Sequence, residues 1–181
     1  MVAFVTDVPV DAGRITRAEF QRALVQKAAE EGRDSAPRPG GTGYGKLKEG
    51  AVADLLGGIW IQGEAEAMGI AVTQRRISRE LSLIKKRSFA DEAAYYEYLR
   101  DARLTQHDVR YRVELGLLSA AIERRVLRGV KGFHNELEAL SEFVDEYSAR
   151  WRGRTVCAPE FTIDRCSNGP PASDRLRRSQ S

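Results

Sequence analysis

The chain contains two cysteines, Cys157 and Cys166, in the stretch TVCAPEFTIDRCSNG, with eight residues between them. Thiols so placed could ligate a metal, cycle between redox states or pair with each other. A structural zinc site takes four ligands, commonly from closely spaced C-x2–4-C pairs, and here there is no second pair and no histidine nearby. The C-x-x-C spacing of thiol oxidoreductases is absent too. A disulfide or two free thiols are left. APEFTIDR alternates Phe161 and Ile163 with polar residues and is bounded by Pro159 and Asn168-Gly169, so it can loop back. Closing a loop of about ten residues contributes roughly 2.5–3 kcal/mol in the chain-entropy account. Such a bond belongs to an oxidising compartment.

Other chemistry-bearing residues are scattered. His107 falls in the first turn of a helical segment and His134 beside a break, where solvated imidazoles are expected. No H-E-x-x-H occurs, and position suggests no Cys–His or Ser–His–Asp set. Glu30 with Glu31, and Glu64 with Glu66, read as ordinary polar-face carboxylates; acid catalysis in pairs needs two carboxyls in one cleft. The glycine-rich RDSAPRPGGTGYGK lacks the G-x-x-x-x-G-K-[ST] phosphate cradle, since no hydroxyl residue follows Lys46. No catalytic residue, metal ligand or cofactor is therefore assigned. The cluster RRISRELSLIKKR gathers Arg75, Arg76, Arg79, Lys85, Lys86 and Arg87. Nucleic-acid binding needs such a patch together with a reading element. The alternative is a solvated helix face whose last three cations complement the helix dipole.

The elements that must carry these residues are mostly helices. In 181 residues, 42% are hydrophobic and 30% charged, which fits one soluble domain with a real core. The net charge of +3 requires no nucleic acid, though it favours weak attraction to anionic surfaces at low salt. VAFVTDVPVDAGRI predicts a short strand or hairpin, including Val10 and the turn residue Asp11. TRAEFQRALVQKAAEEG follows as a helix, opened by a Thr16–Glu19 capping box and stopped at Gly32. Residues 33–46 read as a flexible loop. LKEGAVADLLGGIWIQGEAEAMG is apolar around most of a helix and so belongs at the centre, with Gly57 and Gly58 permitting close packing or a kink. A third helix is capped by Thr73. A short fourth turns Tyr95, Tyr98, Leu99 and Ala102 inward. A long fifth opens at Thr105 and Asp108 and is apolar on two sides. A sixth, capped by Asn135 and Glu138, carries Leu137, Leu140, Val144, Tyr147 and Trp151 at 3-4 spacing, a narrow packing seam. The expected fold is mainly α: about six helices with a short N-terminal strand or hairpin. The helical domain is assigned to residues 1–155. Residues 156–181 form a C-terminal tail, with the cysteine loop and a polar, disordered end. No apolar run reaches the roughly 20 residues needed to cross a bilayer. The opening MVAFVTDVPV lacks the basic and apolar regions of a signal peptide.

The order of these elements resembles the SurA N-terminal chaperone domain, also seen in PrsA-like foldases. The likeness rests on GIAVT opening the third helix, the aromatic SFADEAAYYEYLRDAR, and LTQHDVRYRVELGLL beginning the fifth. FVDEYSARWRGRTVCAPEF is similar to the ends of foldase-like extracytoplasmic proteins of actinobacteria. The resemblance runs from Val2 to about Cys166. It implies a helical cradle that shields apolar segments of unfolded or partly folded exported polypeptides, with Trp60, Tyr95, Tyr96, Leu117, Leu118 and Phe133 as the candidate client surface. Many members insert a parvulin-type peptidyl-prolyl isomerase domain between the long helix and the last one. RRVLRGVKGFHNELEAL leaves no room for it, so catalysis is not carried over, and a residual isomerase role is the variant within the family. The last helix either closes over the first five or swaps into a partner to make a homodimer. Outside the family stand a small basic nucleic-acid-binding helical protein and a structural interaction module. Location follows two signals that disagree: extracytoplasmic if a leader precedes this chain, as the cysteines suggest, and cytoplasmic if Met1 is the true start.

Overall fold

Hydrogen bonds between the two ends of the chain close the fold. The structure is a computed structural model that describes residues 1–8 and 12–170. β1 (Ala3–Val5) is the middle strand of a small antiparallel sheet, between β2 (Arg14–Ile15) and β3 (Thr155–Cys157). Ala3 pairs with Ile15 on one side and with Cys157 on the other. The N-terminal hairpin is thus present; Val10 and Asp11 of its turn lie outside the described residues. β3 is the element that the sequence hides, because TVC is too short to show a period. Its pairing runs the sheet across the boundary drawn at residue 155. Cys157, Phe161, Ile163 and Cys166 are buried in one core with Val2, Val5, Phe20, Leu24 and Leu56. The segment through Cys166 is therefore core, not appendage. The remaining end, residues 171–181, lies outside the described residues.

The outer edge of β3 is covered by its own continuation. Asn168 Nδ2 donates to the Cys157 carbonyl at 2.8 Å and Asn168 Oδ1 accepts from the Cys157 amide at 3.1 Å, as a fourth strand would. The Ser167 amide bonds the Thr155 carbonyl at 2.7 Å. An edge so occupied offers little for another chain to pair with. The sulfurs of Cys157 and Cys166 lie at disulfide-bonding distance, 1.98 Å, and tie β3 to the turn that bears Asn168.

Six α-helices accompany this sheet among the described residues, and the first, the second and the end of the sixth share its core. α1 (Arg17–Glu30) begins with the capping box: Thr16 Oγ1 accepts from the Glu19 amide while the Glu19 carboxylate accepts from the Thr16 amide at 2.7 Å. It buries Phe20, Leu24 and Ala28, and the chain turns away at Gly32 with φ +71°. α2 (Tyr44–Ala67) starts three residues before the expected LKEG and is central, lying between α1 and α5 (Gln106–Val126). α3 (Gln74–Ser88), capped by Thr73, and α4 (Glu92–Asp101), capped by Asp91, form a satellite. There Tyr95, Leu99 and Leu104 pack with Phe89, Ala102 and Val109. Tyr98, expected inward, is 44% exposed: one residue before the inward Leu99, it is rotated to the rim and touches only Phe89, at 5.4 Å between ring centres. α5 carries the second capping box, Thr105 with Asp108. α6 (Phe133–Gly153) begins two residues before the Asn135 cap read from the sequence; Gly132 is the cap, and Asn135 Nδ2 instead donates back to the Lys131 carbonyl at 2.9 Å. No helix is long and apolar enough to cross a membrane, among the described residues.

Two glycines of α2 mark where neighbours come closest. A Cβ on Gly58 would sit 2.5 Å from Tyr111 Oη of α5, and one on Gly63 would lie inside the Trp151 ring of α6. Gly116, in contrast, has open space around it in the middle of α5. Gly63→Ala is therefore expected to destabilise the fold by about 1–3 kcal/mol through overpacking. Gly116→Ala should stabilise it by roughly 0.5–1 kcal/mol through helix propensity. Urea denaturation followed by far-UV circular dichroism measures both, and equal midpoints for the two variants would contradict the close approach. For the sulfur pair, oxidised folded protein should show no titratable thiol. Cys157→Ser/Cys166→Ser should lose about 2.5–3 kcal/mol.

Candidate functional site

α6 is fastened at one end only. Trp151 is completely buried over Gly63, and its Nε1 donates to Glu64 Oε2 at 2.7 Å. The other carboxylate oxygen of Glu64 accepts from Arg150 at 2.8 Å. A buried carboxylate is tolerated only when charge and lone pairs are both satisfied, and here they are. One turn further on, Thr155 Oγ1 donates to the Trp151 carbonyl at 2.8 Å and accepts from Trp60 Nε1 at 2.9 Å. Tyr147 sets its ring edge-on to Trp60 at 6.0 Å, and Phe143 stacks on Tyr147 at 5.8 Å. Burial pushes the Tyr147 phenol up to about 12, against the opposing pull of Arg165, so the ring is neutral under ordinary conditions.

Toward its N-terminus the same helix loses its support. The seam residues continue at 3-4 spacing, so Phe133, Leu137, Leu140 and Val144 share a face with Tyr147 and Trp151. Yet Phe133 is 78% exposed, Leu137 51% and Val144 52%, while Leu140 is half-buried. Beneath this stretch lies a thin second cluster: Ala65, Leu118 and Ile122, with Ile61, Val126 and Phe143 partly covered. A helix about 31 Å long is thus pinned by its last two turns and presents an apolar ridge along the rest.

Of the residues named from the sequence, Trp60, Tyr95 and Leu118 are core side chains, each in a different cluster. Their size and apolarity serve packing, so they present no surface. Leu117 is half-buried, Tyr96 is exposed and hydrogen-bonds Gln106 at 2.9 Å, and Phe133 is the most exposed large apolar residue described. Phe133 lies on α6, whereas Tyr96 and Leu117 lie on α4 and α5, and no contact joins the three. The sequence marks Leu137 and Val144 as an exposed seam on the last helix, free to close over the first five helices or to swap into a partner; here both side chains are exposed. Glu64 was read as ordinary. Its position on a helix otherwise apolar all round was the available signal that it is buried and paired.

A cleft of about 750 Å³ opens between α1, α2 and α5. Ala23, Gly57, Gly58 and Leu115 contribute its apolar part, and several of its ionisable groups are paired with one another. Lys27 bonds Asp54 at 2.8 Å and Glu30 at 3.1 Å, and Arg112 bonds Glu30 at 3.1 Å. The hydrogen bond to Asp54 raises the Lys27 ammonium above its ordinary value. Burial opposes the Glu30 carboxylate, but Lys27 and Arg112 hold it below its usual range. Asp108 is likewise opposed by burial and held low by the Thr105 hydroxyl and amide and by Arg22. His107 lies at the rim and His134 is exposed on α6. Among the described residues no group of three His, Cys, Asp or Glu side chains could hold a metal ion.

The lowered carboxyls give a pH dependence of stability. Both bind protons more readily in the unfolded chain, so the stability they contribute is complete above the unfolded values near pH 4, about 3.9 for Asp and 4.3 for Glu. It is lost as the pH falls through the lower folded values. The thermal midpoint should drop between pH 6 and pH 3, and Asp108→Asn should narrow that drop; an unchanged drop in the variant would remove Asp108 from the account. The chain matches no protein-family model, and comparison with curated proteins and with solved structures finds no match either.

Proposed function

We propose that the protein is a non-catalytic polypeptide-binding module of the chaperone type, in which α6 holds apolar segments of unfolded or partly folded chains. The observation that carries this reading is the exposed ridge of Phe133, Leu137 and Val144 on a helix whose far end is locked into the core. Apolar area in such a row is unfavourable in water and is covered by an apolar partner without exact stereochemistry. That suits clients of varied sequence. The mainly helical architecture is compatible with the resemblance to SurA N-terminal and PrsA-like domains, and the short α5–α6 connection, residues 127–132, supports the non-catalytic reading because it holds no inserted domain. The buried Cys157–Cys166 pair favours an oxidising, extracytoplasmic address.

The test is suppression of aggregation of a reduced, unfolded client by the purified full chain. Suppression is expected at stoichiometric ratios, and the Phe133→Ser/Leu137→Ser/Val144→Ser variant should lose most of it. Because those side chains are exposed, its helicity and thermal midpoint should stay within the small range usual for surface substitutions. Unchanged aggregation at excess of the unsubstituted protein would defeat the reading; full activity in the variant would move the site off α6.

A further inference from the structure

The positive charge of this chain is concentrated on one helix. α3 bears six basic side chains and one acidic, Glu80, a net of +5, so the rest of the chain carries −2 of the total +3. The apolar positions Ile77, Leu81 and Ile84 point inward, with Ile77 buried and the other two half-buried. On the opposite side, Arg75, Arg79 and Lys86 fall within a strip about 40° wide, and Arg76, Leu83 and Arg87 form a second strip beside it. All five cations of that outer side are exposed, and none makes a hydrogen bond, ion pair or ring contact among the described residues. Lys85 shows what an engaged cation looks like here. It turns back to Glu92 at 2.7 Å and lies 4.0 Å over the Tyr95 ring. Five like charges on about 22 Å of helix repel one another, and the helix dipole offsets that cost only for Lys86 and Arg87 in the last turn.

We infer that the outer side of α3 is a docking surface for anionic phospholipid headgroups, bringing the protein onto a negatively charged membrane surface. Charge complementarity sets the class of partner: each Lys or Arg near such a surface adds roughly fivefold in affinity. Two further observations favour lipid over nucleic acid. Leu83 sits among the cations at 36% exposure, where phosphate contacts alone need no apolar residue. The surface is convex along one straight helix and adds no second element to enter a groove, as base readout requires.

The experiment is co-sedimentation of the full chain with vesicles of phosphatidylcholine alone or with phosphatidylglycerol added, alongside a duplex-DNA binding assay. Binding is expected only to the anionic vesicles, weakening steeply from 50 to 200 mM NaCl. It should fall about a hundredfold in Arg75→Gln/Arg79→Gln/Lys86→Gln and by a smaller factor in Leu83→Ser. Circular dichroism checks that the variants stay folded. Equal binding to neutral vesicles, no vesicle binding at low salt, or undiminished binding by the triple variant would each overturn the inference, as would DNA binding tighter than vesicle binding at equal phosphate.

Discussion

A single indole organises the upper half of the molecule. Trp151 can be buried because Gly63 has no side chain, and Glu64 beside that glycine takes its N–H. Steric room and hydrogen-bond satisfaction are supplied by adjacent residues of one helix, so both depend on the register between α2 and α6. Arg150 then balances the charge that Glu64 brings inside. Without Arg150 the carboxylate would be a buried, uncompensated anion, the kind of group whose burial costs several kcal/mol. The position of α6, and with it everything the helix displays, rests on this arrangement.

Strength at one end of α6 explains weakness at the other. Phe143 and Tyr147 extend the packed region by stacking, and Leu140 marks its limit. Beyond that point the seam continues in the sequence but has no facing surface. Phe133, Leu137 and Val144 thus keep the pattern of a core helix without the burial, while Leu140 and Phe143 between them are half-buried. The 750 Å³ cleft on the other side of α2 differs in kind: Lys27, Glu30, Asp54 and Arg112 in its lining are tied to one another in ion pairs.

Much of this was legible in the sequence where the signal was local. Two capping boxes, the Thr73 cap, the central placement of α2 and the six-helix count follow from residues three or four apart. The hairpin follows from Val and Phe flanked by turn formers. Non-local features did not show. β3 is three residues long and is defined only by its pairing with β1, where Cys157 meets Ala3, 154 positions earlier. Tyr98 and Asn135 sit at element edges, where one residue of rotation or two of register change the outcome. The candidate site was partly misplaced for the same reason: large apolar side chains mark both cores and binding ridges, and Trp60, Tyr95 and Leu118 are core. The residues that make the ridge, Leu137 and Val144, have the same pattern as those that pack.

The pairing of residue 3 with residue 157 also has a consequence for how the chain is made. Its central strand leaves any ribosome or translocation channel well before β3 and must wait, unpaired on one side, until the helices between them have followed. Contacts of such long sequence separation form late and set the rate of folding. Helices can form as they appear, but the sheet that locks them cannot close before residue 157 is free. The sheet therefore stays incomplete until β3 has followed the last helix out.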